Sequence, residues 1–331
     1  MSSGRAILSL RVLLVLAIVL AVLAAWRGYL FLHQPMIEQG DPVIVEVKAN
    51  SSANALATLL YEKKLISSRR MFLYLVKWTG QAGQLKTGVY QISPGQSAQQ
   101  LLDKIVAGDV LQLPFRIIEG STLAQVRANL QTAPWLQYSE RDWSFIPISY
   151  PSAEGLLLAD TYAYNAGSAA LNLLKNANAK LMQELDKNWL DRNPDLPYKT
   201  PYELLVVASI LEKEASLPAE RELISGVVVN RLQKNMPLQM DPTVIYALGS
   251  LYNGKLHHSD LSIDSPYNTY RYRGLPPAPI AMVGKSSLFA AAHPKSSKYL
   301  YFVAKGDGTH VFSETYAEQR EAVTRYLSGN H

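Results

Sequence analysis

Two glutamates two residues apart, Glu212 and Glu214, close the segment TPYELLVVASILEKEAS at residues 200–216 and are the side chains best placed to do chemistry. A carboxyl group at the border of an apolar surface is poorly solvated as an anion. Its pKa therefore rises and it stays protonated near neutral pH, the state that a general acid requires. On a helix Glu214 occupies such a border, three residues after Leu211, four after Ile210 and seven after Val207. Glu212 lies about 160° around the axis, toward Leu205, Ala208 and Ser209, because two residues advance by about 200° at 3.6 residues per turn. Only one of the pair can readily face a given cleft. The plain alternative is that both are surface residues, as most helical glutamates are.

Other chemistries find less support. Ser209 and Lys213 stand four apart and could form a serine–lysine nucleophile pair, although pairs at that spacing are common on helices. The six histidines include adjacent His257 and His258, yet there is no HExxH pattern and no cysteine, which argues against zinc and excludes disulfides and thiolate chemistry. Gly284-Lys285-Ser286 matches the end of a phosphate-binding loop, but Pro279 stands where the loop's first glycine is needed. No GxSxG elbow occurs.

The elements that must position the two glutamates can be read from the same chain. Thr200 is a candidate N-cap, Pro201 a first helical residue and Glu203 the third, which makes a capping box with proline where it is favoured. Leu204, Val207, Ala208 and Leu211 then give the helix one buried face. A second helix is expected from 218 to about 235, with Leu223, Ile224, Val227, Val228 and Leu232 inward, packed as a hairpin behind the first. Residues 238–246 and 265–281 lose periodicity and are rich in Asp, Asn, Gln, Tyr and Pro. Such segments either carry binding residues, with tyrosines suited to sugars, or are proline-stiffened connections.

Upstream, VIVEV at 43–47 alternates as a strand, helical spacing follows at 51–64 and 67–79, and 86–92 alternates again. A helix at 97–107, a strand at 111–118 and a helix at 121–131 come next. Residues 133–151 have no periodicity that assigns them. A helix is expected at 168–189, a short one at 286–292, strands at 299–303 and 310–312, and a closing helix at 313–327. The chain's 331 residues suffice for two domains. Its net charge of +5 is scattered and forms no basic stripe, so nucleic acid is poorly supported as a partner.

At the N-terminus Arg5 and Arg11 precede an apolar run over 12–26, which with its flanks approaches the roughly 20 residues that span a bilayer. The basic leader predicts a cytoplasmic start, and Trp26, Tyr29 and Phe31 suit an interfacial belt on an uncleaved anchor. Small Ala24 and Ala25 would instead fit a cleaved signal peptide. Either way the remainder is exported.

The ordered series VVASILEKEAS, ERE, VVVNRL, MPLQMDPTVIY, PYNTY, GLPPAPI, AAHP and YLYFV is similar to the endolytic murein transglycosylase family, the YceG-like proteins, along the whole chain. The resemblance implies an α+β protein with an N-terminal transmembrane helix (1–42, with its cytoplasmic stub and linker). The strand-helix-helix-strand order that opens residues 43–119 separately resembles a LysM-like α/β domain, a module associated with binding N-acetylglucosamine polymers, with a ligand-free scaffold as the alternative. A mainly helical catalytic domain with a few strands (120–331) would follow, and an anchored, non-catalytic glycan-binding scaffold is the alternative for the whole. The family resemblance implies a single-pass inner-membrane enzyme of a Gram-negative-type bacterium, facing the periplasm, that cuts the MurNAc-GlcNAc bond of nascent peptidoglycan strands and leaves 1,6-anhydro-MurNAc ends. Penicillin-binding synthases are the implied partners, and no metal or organic cofactor is implied. Glu214 becomes the catalytic acid and base with Glu212 supporting it, and Gln239, Asp241, Asn268 and Tyr270 become substrate-binding residues. The chain departs from the family pattern at Ala159, where proline is usual, and at Met282-Val283-Gly284, where Asn-Pro-Gly is common.

Overall fold

A computed structural model describes residues 2–214 and 217–327. The first helix, α1 (Ser2–His33), contains a stretch, Val12–His33, of mean hydropathy 2.2 that is long and apolar enough to cross a membrane. Its large apolar side chains from Val12 to Leu23 are exposed, as expected of a surface meant for lipid rather than for a protein core.

The remainder divides into two compact units, one reaching Leu113 and including Asn165–Gly167, the other formed by Pro114–Tyr164 and Ser168–His331. In the first, β1 (Val43–Val47), α2 (Ala53–Glu62), α3 (Arg69–Trp78), β2 (Gly88–Ile92) and α4 (Ala98–Ala107) follow in order. Strands β1 and β2 pair antiparallel with Val45 opposite Tyr90, and their inner faces pack on Leu56, Leu60, Phe72, Leu101 and Ile105. Serines cap all three helices: the hydroxyls of Ser52, Ser68 and Ser97 accept from the backbone N–H groups of Ala55, Met71 and Gln100. Each stands within one residue of the start expected for its helix, at 51, 67 and 97.

The chain leaves this unit along β3 (Gln112–Arg116), which pairs with β4 (Thr161–Asn165). Between them lies α5 (Leu123–Thr132) and a 3-10 turn, Glu140–Phe145, inside the stretch that carried no periodicity. Ser139 caps that turn and Trp143 buries beneath it, so the segment is held by local capping and one anchor. Then come α6 (Ala170–Leu190), α7 (Pro201–Glu214), a 3-10 turn Pro218–Glu220, α8 (Arg221–Gln233), α9 (Asp241–Leu248) and α10 (Lys285–Ala292). Strands β5 (Tyr301–Ala304) and β6 (His310–Ser313) form the expected antiparallel hairpin, and α11 (Tyr316–Leu327) closes the described chain.

Two expectations need correction. Helix α7 was expected to bury one face, yet every residue from Leu204 to Glu212 is buried, because α6, α8, α9 and α10 all pack against it. It is the central helix of this unit, and each fully buried Leu or Ile on it contributes about 2 kcal/mol. Segment 238–246 was expected as loop and instead forms α9. Pro242 lies in its first turn, where a missing N–H costs nothing, and Thr243 and Val244 bury behind it. The last two residues of the helix expected at 200–216 lie outside the described residues.

Candidate active site

The N-terminus of α7 is set by Thr200, whose hydroxyl accepts from the Glu203 N–H at 3.2 Å. The Glu203 carboxylate reaches one residue further back than in the standard box, accepting from the Lys199 N–H at 2.5 Å. Helix α7 then runs through the core to Glu214, the last residue described before residue 217. Burial upstream fixes the helix, and its end fixes the carboxyl.

Glu214 lines a cavity of about 350 Å³ together with Arg231, Gln239, Asp241, Tyr270 and His310. The residue keeps part of its surface open while protein atoms crowd its carboxyl. That desolvation, and secondarily the negative charge of Asp241, push its pKa up to about 8. Among the described residues its carboxyl makes no hydrogen bond. It is therefore an acid, protonated at neutral pH, with its proton uncommitted and a cavity in front of it.

Its surroundings are themselves held. Tyr270 donates its hydroxyl to Asp241 Oδ1 at 2.5 Å, and burial together with that anion raises the tyrosine's pKa. Arg231 donates from Nε to the Leu300 carbonyl at 2.6 Å and from Nη1 to the Leu238 carbonyl at 2.8 Å and Gln239 Oε1 at 3.1 Å. Its guanidinium also lies 5.1 Å from the centroid of the Tyr301 ring. Gln239 adopts φ +52°, a left-handed conformation that costs a residue with a side chain roughly 1 kcal/mol or more. The strain is held by its N–H bond to the Thr269 carbonyl and by Arg231.

The structure thus brings Gln239, Asp241 and Tyr270 to the same cavity as Glu214. Asn268 stands elsewhere. It has no exposed surface, and its amide nitrogen donates to the carbonyls of Leu261 and Ile263 at 2.9 and 2.8 Å while Oδ1 accepts from the Tyr270 N–H. These bonds shape the loop that presents Tyr270. Glu212 faces away from the cavity, as the helical geometry requires. Its carboxylate pairs with Arg221 Nη2 at 2.9 Å and accepts from the Gly284 N–H at 2.8 Å, and Arg221 also bonds Ser286. Glu212 ties α7 to α8 and to the start of α10.

The serine–lysine arrangement is not formed. Ser209 is fully buried, donating to the Val206 carbonyl and accepting from the Ile280 N–H, whereas Lys213 reaches the Gly120 carbonyl at 3.2 Å. The two departures from the family pattern meet each other: the Ala159 N–H donates to the Val283 carbonyl at 2.9 Å, a bond that proline at 159 could not make. A Cβ at Gly284 would lie 2.0 Å from Glu119 Oε1, so a side chain there would displace the exposed Glu119 carboxylate.

Sequence reasoning did not select Arg231 or His310. Arg231 had a signal, a charge seven residues after Ile224 and four after Val227 on the buried face of α8. His310 had none, because a hairpin and a distant 3-10 turn bring it to the cavity.

The model of the YceG-like family matches residues 45–325. The chain is 34% identical to the endolytic murein transglycosylase of Bacillus subtilis strain 168, over 87% of this chain and 86% of that one. It is 30% identical to the endolytic murein transglycosylase of Streptococcus pneumoniae strain D39, over 79% of this chain and 54% of that longer protein. The crystal structure of a yceG-like protein from Listeria monocytogenes superposes with a TM-score of 0.52 at 32% identity, covering 85% of this chain and 98% of that one. With the family model matching residues 45–325 and a relative 34% identical over 87% of its length, the chain belongs to the YceG-like family.

Proposed function

We propose that the protein is a membrane-anchored endolytic lytic transglycosylase that cleaves the MurNAc-GlcNAc bond within nascent peptidoglycan strands, leaves 1,6-anhydro-MurNAc ends and so ends strand elongation. The observation that carries this reading is the Glu214 carboxyl, kept protonated by desolvation and by Asp241, without a hydrogen-bond partner among the described residues, and lining a cavity. Glu214 gives its proton to the glycosidic oxygen as the bond to MurNAc C1 breaks. An oxocarbenium-like C1 develops, assisted by the 2-acetamido group, and the sugar's own C6 hydroxyl closes on it. No water is consumed. A hydrolase would need a second carboxylate to place water, whereas this chemistry needs one acid and an acceptor for the hydroxyl proton. One carboxyl can serve as both.

Gln239, Asp241 and Tyr270 supply polar contacts to the sugars, Asn268 shapes the loop from which Tyr270 reaches the cavity, and Glu212 holds the helix in place. The α1 segment anchors the chain with its basic leader in the cytoplasm, so that the rest faces the periplasm of an inner membrane. The β1-α2-α3-β2 order supports a LysM-like module, taken as residues 43–119, that holds glycan while residues 120–331 cut it. Penicillin-binding synthases are the partners that would deliver nascent strands. The test is digestion of purified sacculi with the full chain in detergent, with the products weighed. Anhydro-terminated fragments from the native chain and none from Glu214→Gln are expected. Fragments that carry an added water would overturn the reading.

A further inference from the structure

His310 shares the cavity with Glu214 and is held as a proton acceptor is held. It opens β6, and its Nδ1 lies 2.7 Å from Glu220 Oε2, while Glu220 Oε1 accepts the His310 backbone N–H at 3.1 Å. A carboxylate only accepts, so Nδ1 carries a hydrogen, and in the neutral ring Nε2 holds the lone pair. Among the described residues Nε2 has no hydrogen-bond partner. Phe302, across the hairpin on β5, meets the imidazole edge-on with centroids 5.4 Å apart, and Phe312 flanks it at 6.4 Å. Both side chains of the pair are largely buried, at 11% and 18% exposed, and His310 is among the residues that line the Glu214 cavity.

An ion pair that merely fastened the hairpin to the turn before α8 would not need its ring in the lining of the acid's cavity, with the second ring nitrogen unclaimed among the described residues. We infer that His310, oriented by Glu220, is the base that accepts the proton of the MurNAc C6 hydroxyl, so that the two halves of the reaction fall to two groups. The inference rests on the transglycosylase reading above. The Glu214 proton passes to the leaving glycosidic oxygen, and the C1–O bond breaks with its electron pair going to that oxygen. As the C6 oxygen bonds C1, its proton passes to His310 Nε2. The imidazolium then returns a proton through solvent to the Glu214 carboxylate, which restores the enzyme, and neither oxidant nor water is consumed. A carboxylate behind the imidazole strengthens Nε2 as an acceptor and stabilises the cation that forms. Glu220 is thus a positioning residue and His310 a catalytic one.

The test uses the full chain in detergent on purified glycan strands, counting anhydro ends per unit time. His310→Ala is expected to lose about 10²-fold, the lower range for a general base, and to regain part of that when imidazole is added to the buffer. Glu220→Gln is expected to lose less and to gain nothing from imidazole, since the ring is still present. A folded His310→Ala or His310→Gln that makes anhydro ends at the native rate overturns the inference, as does a loss in folded His310→Ala that imidazole leaves unchanged. Should the alanine variant not fold, His310→Gln decides, because glutamine fills the space but accepts no proton at neutral pH. Absence of anhydro ends from the native chain would instead sink the transglycosylase reading itself.

Discussion

Two regions of the second unit each bury a carboxyl among apolar atoms, and they differ in what the carboxyl is left to do. Glu154 is 4% exposed, and burial pushes its pKa up to about 7. Its oxygens are nonetheless occupied, one accepting the Leu123 N–H at 2.8 Å and the other the Tyr246 hydroxyl at 3.2 Å. Tyr246 stacks obliquely on Tyr267 with centroids 4.8 Å apart, which seals that pocket. Glu214 is shifted in the same direction for the same leading reason, but among the described residues no donor claims it, and it lines a cavity. Desolvation alone keeps a carboxyl protonated at neutral pH. To act as an acid it also needs a proton that faces a space where substrate can sit.

The largest effect that could break this contrast is at Glu214. Glu214→Gln should keep the fold and lose at least the 10²-fold that a general acid supplies, measured as anhydro ends released from sacculi. Full activity would show that the open carboxyl is not the acid. The same variant should sharpen the contrast in stability. Between about 4.5 and about 8 the native state holds a proton on Glu214 that the unfolded chain has lost, so native stability falls as pH rises through that window. Glu214→Gln removes this fall, and thermal melts across the window should be flatter for it than for the native chain.

Glu212→Gln comes next and acts on structure. It weakens a buried pair whose other member, Arg221, is 8% exposed, and loss of one partner of such a pair costs about 3 kcal/mol. A drop in Tm with activity largely retained per folded molecule is expected. A fully folded but dead Glu212→Gln would mean that the roles of the two glutamates are reversed.

Asp241→Asn should be milder still. Removing the anion lowers the Glu214 pKa from about 8, though desolvation, the larger cause, remains. Glu214 then loses its proton at a lower pH. The alkaline fall in activity should move to lower pH, with a loss of a few-fold at neutral pH, and an unmoved limb would show that Asp241 does not tune the acid.

Glu154→Gln should change least. The amide can still accept from Leu123 and donate toward the Tyr246 oxygen, so activity should be near native. Above about pH 7 the variant should melt slightly higher than the native chain, because it buries no charge. A large activity loss would mean that this sealed carboxyl also takes part in the chemistry.

Much of this was determined by the sequence alone. The spacing of Glu214 from Leu211, Ile210 and Val207 put it at an apolar border, and 3.6 residues per turn kept Glu212 out of the same cleft. Thr200 marked the start of α7, because capping is a local bond between near neighbours, and alternation marked two strands, VIVEV and one within 86–92, which form as Val43–Val47 and Gly88–Ile92. What the tertiary structure decided depends on partners far along the chain. Helix α7 is buried all round because four helices surround it, which no periodicity within seventeen residues can announce. Asn268 points to its loop rather than to a sugar because two carbonyls within its own turn claim the amide. His310 reaches the cavity because Glu220, ninety residues earlier, holds it there. Local pattern specifies elements, since it is written in neighbouring residues; a site is assembled from groups that only packing brings within a few ångströms of one another.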